Sequence, residues 1–150
     1  MEIYEFKLVK QVDFSEADPA GILHFSNYFR YMELVEHAFY RKLGISGFMQ
    51  KKKQNYGWPR VHAKMDYLAP LAYEDQVEIH LLVAEKHKKA MDYLFYFRRL
   101  PDRKLVAKGH LTVVYVSVDP QTRKLKASKI PDEITRSIVV APKKLLELEE

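Results

Sequence analysis

Asp18 stands at the tip of the turn "SEADPAGI", residues 15–22, with Pro19 beside it and Gly21 three places on. An aromatic-rich, apolar stretch follows at once. A carboxylate can attack a carbonyl carbon or activate a water molecule. The free N–H groups at the start of a helix can polarise a carbonyl oxygen, and the helix dipole favours the negative charge that develops there. An acid and a helix start this close together outline an acyl-transfer site. Asp-Pro is equally ordinary turn chemistry, with the Asp side chain bonded to nearby amides. The spacing alone leaves both readings open. His24, a pocket-facing or solvent-facing imidazole, lies between turn and helix.

The helix that must position these groups spans residues 26–43, with Ser26 or Asn27 placed to cap it and Gly44 placed to end it. At 100° per residue, Asn27, Arg30, Glu33, His37 and Arg41 share one side. Phe25, Phe29, Met32, Phe39 and Leu43 share the other, flanked by Tyr28 and Val35. So wide an apolar arc suits a helix wrapped by a sheet. Glu36 falls in the middle of that arc. A buried, unpaired carboxylate is costly, so Glu36 needs a partner, Arg or Tyr at a subunit interface, or else serves as a functional acid. Glu33 pairs adequately with Arg30 or His37.

Around the helix, residues 3–14, 58–69, 76–86, 91–99 and 104–119 read as strands, the last ended by Pro120. Residues 131–138 open with Pro at the first helical position and acids behind it, which predicts a short helix. The tail "KKLLELEE" is helical or frayed. One early helix followed by antiparallel strands means α+β, in one domain over residues 1–150. Composition agrees: 47% hydrophobic and 30% charged residues describe an ordered globular chain. Zero Cys excludes disulfides, Cys-ligated zinc and a thiol nucleophile. No metal site is read. The N-terminus shows no signal peptide, and no apolar run is long enough to span a membrane. A formal charge of +5 suits an anionic partner. No helix-turn-helix, zinc-finger or RNA-reading motif accompanies it, so nucleic acid rests on charge alone.

"DPAGILHFSNYFRYMEL" resembles the signature of the 4-hydroxybenzoyl-CoA thioesterase family, within the hotdog-fold superfamily. The matching residues are Asp18, Pro19, Ala20, Gly21, Ile22, Asn27 and Tyr28. The resemblance is specific over residues 13–44 and looser over residues 5–120. It implies a long central helix wrapped by a curved antiparallel sheet of about five strands. It further implies an acyl-CoA thioesterase, with Asp18 as nucleophile or general base and the Phe25 backbone amide as oxyanion donor. Many relatives carry Tyr or His at that place, and here His24 sits one position early. Gly21, His24, Tyr28 and Trp58 would belong to the substrate pocket. The family's basic cluster for the CoA phosphates falls on His87, Lys88 and Lys89; a solvated hairpin tip would read the same way. Arg60, Lys64, Arg98 and Arg99 could line the same mouth, and Lys51–Lys53 form a solvated loop. CoA is part of the substrate, so no cofactor is implied. A cytoplasmic homodimer is expected, assembled as a dimer of dimers. The alternatives are a hotdog enoyl-CoA hydratase, using Asp18 with His24, and a non-catalytic acyl-CoA binder.

Overall fold

A computed structural model describes residues 2–45 and 55–147. Strand β1 (Glu5–Gln11) leads into a 3-10 turn at Phe14–Glu16 and then helix α1 (Asn27–Leu43). There follow β2 (Asn55–Gly57), β3 (Arg60–Tyr67), β4 (Gln76–Lys86), β5 (Ala90–Leu100), β6 (Lys104–Val114), β7 (Val116–Val118) and β8 (Leu125–Ala127). Short helices α2 (Asp132–Thr135) and α3 (Lys143–Leu146) complete the described chain. The strands form a five-stranded antiparallel sheet in the order β1-β4-β5-β6-β3, and a three-stranded sheet β2-β7-β8.

Alternation on the central strands aims Ile79, Leu81, Met91, Tyr93, Phe95, Phe97, Leu111 and Val113 at α1, all buried. The helix answers with Tyr31, Met32, Val35, Phe39 and Tyr40. Each such side chain contributes about 1.5–3 kcal/mol on burial. Gly109 on β6 permits the close approach of helix to sheet, since a Cβ there would lie 2.6 Å from Met32 Sδ. Gly44 ends α1 at φ 73°, its N–H bonding Arg41 O while Ile45 N–H bonds Tyr40 O. The outer face of the sheet carries a second apolar cluster of Leu82, Leu94, Tyr96 and Leu105, covered by Ala141, Leu145 and Leu146.

Several expectations are corrected. Ser26 is helical in φ and ψ and makes no capping bond; its hydroxyl lies 2.8 Å from His24 Nδ1 instead. Phe25 precedes α1 and is 64% exposed rather than on the buried side, whereas Tyr31 and Tyr40 within the helix are buried. The long strand 104–119 breaks at Tyr115, whose N–H bonds Lys89 O, and its two parts join different sheets. Pro131 precedes α2 rather than opening it. Lys51–Lys53 lie outside the described residues.

Candidate active site

The Asp18 turn closes on itself. Gly21 N–H bonds Asp18 O at 2.9 Å and Asp18 N–H bonds Ile22 O at 2.8 Å. Gly21 adopts φ 80°, a left-handed conformation that glycine enters without steric cost. Asp18 Oδ1 accepts the amides of Ala20 (2.8 Å) and Ile22 (3.4 Å). So the side chain does make the expected turn bonds, through one oxygen. Oδ2 has no donor among the described residues.

Three main-chain bonds hold the turn against the rest of the site. Leu23 N–H bonds Leu71 O, Tyr73 N–H bonds Gly21 O, and His24 N–H bonds Glu16 O. The helix entry is equally fixed, with Asn27 N–H on His24 O and Tyr28 N–H on Phe25 O. Between these, the Phe25 N–H has no acceptor among the described residues. A cleft of about 400 Å³ opens here. Asp18, Phe25, Tyr28, Tyr67 and the bend at Leu68–Pro70 are in its wall. Tyr67 donates to Phe25 O at 3.0 Å and meets the Tyr28 ring edge-on at 5.0 Å. Burial lifts both phenols above their ordinary range, so both stay neutral hydroxyls at neutral pH.

Two other pocket residues are placed differently from expectation. Trp58 is buried, packed on Tyr40 and Tyr115, and does not line this cleft. His24 is exposed, stacked on Phe25 and bonded to Ser26, outside the cleft wall.

His87, Lys88 and Lys89 occupy the β4–β5 hairpin, closed by His87 N–H on Ala90 O. The His87 ring stands between Glu85 (3.1 Å) and Asp92 (3.2 Å), so it faces carboxylates. These three are the single candidate cation-binding group among the described residues. Lys88 and Lys89 are exposed and have no carboxylate partner among the described residues. The hairpin and the cleft are at opposite ends of the sheet. Phe97, Ala107 and Tyr67 are aligned at the cleft end, and Ala90 and Val114 at the hairpin end. Seven residues of β5 separate them, about 23 Å at strand rise. The other cations expected at the mouth are engaged elsewhere: Arg60 with Glu36 and Glu33, Lys64 with Asp66, Arg99 with Asp102, and Arg98 over the Tyr96 ring.

Glu36 is fully buried and does have Arg and Tyr partners, but they belong to the same chain. The Arg60 guanidinium bonds Oε1, and Tyr40 OH donates to Oε2 at 2.8 Å and lies 3.2 Å from Tyr93 OH. Burial pushes the Glu36 carboxyl up to about 7, against the pull of Arg60 and Tyr40. Glu33 faces Arg60 at 3.5 Å, rather than Arg30 or His37. Sequence reasoning missed Glu16. Its carbonyl accepts both His24 N–H and Asn27 Nδ2–H, and its carboxylate accepts Tyr31 OH at 2.6 Å, Asp13 N–H at 2.8 Å and Lys10 at 3.1 Å.

Comparison with known proteins bears on this geometry. The signature of the thioesterase-like superfamily matches residues 12–138. A putative esterase of Aquifex aeolicus is 40% identical over 78 residues, 51% of this chain and 59% of its own length. The 1,4-dihydroxy-2-naphthoyl-CoA hydrolase of Synechococcus sp. strain WH7803 is 26% identical over 137 residues, covering 87% and 86% of the two chains. The solved 4-hydroxybenzoyl-CoA thioesterase of Pseudomonas sp. strain CBS-3 shares the fold, with TM-score 0.77 at 23% identity over 89% of this chain and 99% of its own. The chain therefore belongs to the thioesterase-like superfamily and has the hotdog fold of its relatives, several of them named hydrolases of CoA thioesters.

Proposed function

We propose that this protein hydrolyses an aromatic acyl-CoA thioester at the Asp18 cleft. One observation carries the reading: a carboxylate oxygen without a donor and a main-chain N–H without an acceptor among the described residues, both on residues that wall the same cleft at the head of a 17-residue helix. The thioester carbonyl oxygen takes the Phe25 N–H, where the helix dipole adds to the stabilisation of the oxyanion. Asp18 Oδ2 attacks the carbonyl carbon or removes a proton from the attacking water. In the general-base route the water oxygen forms the C–O bond, the C–S bond breaks, and the departing CoA sulfur takes the proton that Asp18 removed from the water. In the nucleophilic route Asp18 Oδ2 forms the C–O bond as the C–S bond breaks, and the CoA sulfur is protonated from solvent. A water then cleaves the resulting anhydride and restores the Asp18 carboxylate. The products are a free acid and CoA, and no further cofactor enters.

Aromatic walls at Phe25, Tyr28 and Tyr67 suit a flat acyl group, and the names of the relatives point the same way. The hydratase alternative loses its second group, since His24 faces Ser26 outside the cleft wall.

The reading includes a homodimer. Strand β3 is an edge strand exposed on both faces, with Val61 61% exposed. Antiparallel pairing of two β3 edges about a two-fold axis turns one copy end for end. The partner's Lys88–Lys89 hairpin then lies at the same end as this copy's cleft, where it can meet the CoA phosphates. A dimer of dimers completes the proposed assembly.

Thiol release from 4-hydroxybenzoyl-CoA, 1,4-dihydroxy-2-naphthoyl-CoA and short aliphatic thioesters tests the function. Asp18→Asn is expected to keep the fold and lower kcat on the preferred aromatic substrate by about 10²–10⁴. Undiminished turnover by Asp18→Asn would move the role to Glu36 or Glu33.

A further inference from the structure

On the footing that Asp18 and the Phe25 amide are the reacting groups, we infer that Glu16 is a positioning residue that fixes the distance between them. Asp18 is in a turn and Phe25, seven residues on, is in the helix entry. The bonds inside the turn hold Asp18 only to its own neighbours at Ala20, Gly21 and Ile22. Glu16 is the residue that joins turn to helix. Its single carbonyl oxygen takes the His24 N–H at 2.9 Å and the Asn27 side-chain amide at 2.8 Å. Those donors come from the residue before Phe25 and from the first residue of α1. The Phe25 peptide is thus gripped on both sides from a point two residues before Asp18.

The Glu16 carboxylate anchors that carbonyl in turn. Tyr31, one turn further along α1, donates to Oε1, as do the Asp13 amide and Lys10 of β1. Lys10 also lies over the Tyr31 ring at 5.2 Å. One carboxylate oxygen therefore ties the sheet, the turn and the helix together. Burial acts to raise the Glu16 pKa, but the Tyr31, Asp13 and Lys10 donors outweigh it and hold the carboxyl below its usual range. The anchor is accordingly an anion at neutral pH. Neither side-chain oxygen of Glu16 lines the cleft, so its influence on the chemistry passes through Asp18 and Phe25.

Displacement of a reacting group by about 1 Å can cost about 10²-fold in rate. Glu16→Ala is expected to lower kcat by about 10- to 100-fold on the aromatic acyl-CoA that wild type turns over fastest, with KM changed less than about threefold. Glu16→Gln, which keeps the acceptor, is expected to recover most of that loss. Groups acting as a unit are non-additive, so Glu16→Ala on an Asp18→Asn background should cost less than about a further twofold. Thermal melting of each variant shows whether it is folded at the assay temperature. If Glu16→Ala is not, Tyr31→Phe and Glu16→Gln carry the same comparison, with a smaller kcat loss expected from each. Equal losses on both backgrounds, a loss confined to KM, or full turnover by a folded Glu16→Ala protein would overturn the inference. Full turnover by Asp18→Asn alone would instead overturn the reading of the site itself.

Discussion

Replacing Glu36 by Gln should change how stability depends on pH in one direction only. Glu36 is completely buried, and burial holds its carboxyl at about 7 in the folded chain against an ordinary value of 4.5. Between those values the folded protein keeps a proton that the unfolded chain releases. Stability supplied by that proton is complete below pH 4.5 and is lost as pH rises through 7. A window of about 2.5 pH units at about 1.4 kcal/mol each makes the loss about 3 kcal/mol. Gln has no proton to lose and nearly the same shape. Arg60 is not orphaned by the change, because it still donates to Trp58 O at 2.6 Å and faces Glu33 at 3.5 Å. Tyr40 can accept from the new amide and donate to Tyr93, 3.2 Å away. Urea unfolding of both proteins at pH values from 4.5 to 8 gives the comparison, urea being uncharged. Wild-type stability minus that of Glu36→Gln should fall by about 3 kcal/mol across the series, most of it between pH 5 and 7. A difference that stays flat, or rises with pH, would refute the reasoning.

Two further outcomes follow from the hairpin and the edge strand. Lys88→Ala with Lys89→Ala should raise KM for a CoA thioester by about tenfold, leave kcat nearly unchanged and flatten the salt dependence of KM; an unchanged KM would remove these lysines from CoA binding. Val61→Glu puts a charge on the exposed apolar side of β3, so light scattering after size exclusion should show a shift from dimer towards monomer. A dimer of undiminished strength would exclude pairing along this edge.

The positions of α1 and of the long strands along the chain were legible because apolar residues recur through each at helix or strand spacing, whereas the order β1-β4-β5-β6-β3 within the sheet was not read. Gly44 was legible because a left-handed helix end favours glycine. The second sheet was not, since Asn55–Gly57, Val116–Val118 and Leu125–Ala127 are too short to show a period. At the site, Asp18 could be singled out because turn, acid and helix are contiguous in the chain, while Gly21 and Tyr28 came only with the family resemblance. Burial of Glu36 followed from the helical wheel, and so did its need for Arg or Tyr. That the Arg would be Arg60, 24 residues away, depends on where the start of β3 comes to lie beside α1. The two carboxylates beside His87 depend on the cross-strand register of Glu85 with Asp92, set by an irregularity after Val83 that no composition rule marks. Glu16 escaped notice because its partners lie on two elements that flank it, Lys10 on β1 and Asn27 and Tyr31 on α1, the last 15 residues away.

The patch of Leu82, Leu94, Tyr96 and Leu105 is covered by the segment around Ala141, Leu145 and Leu146. Translation delivers the N-terminal parts first. Every strand of the large sheet therefore leaves the ribosome before the cover for its outer surface has been made. Until residues 141–146 emerge, the nascent chain shows water a greasy spot on an otherwise assembled sheet, the kind of surface that chaperones grip. The cover bonds the sheet through Ala141 N–H to Val83 O and Tyr96 OH to Leu146 O, so its arrival completes a sheet that can already have formed.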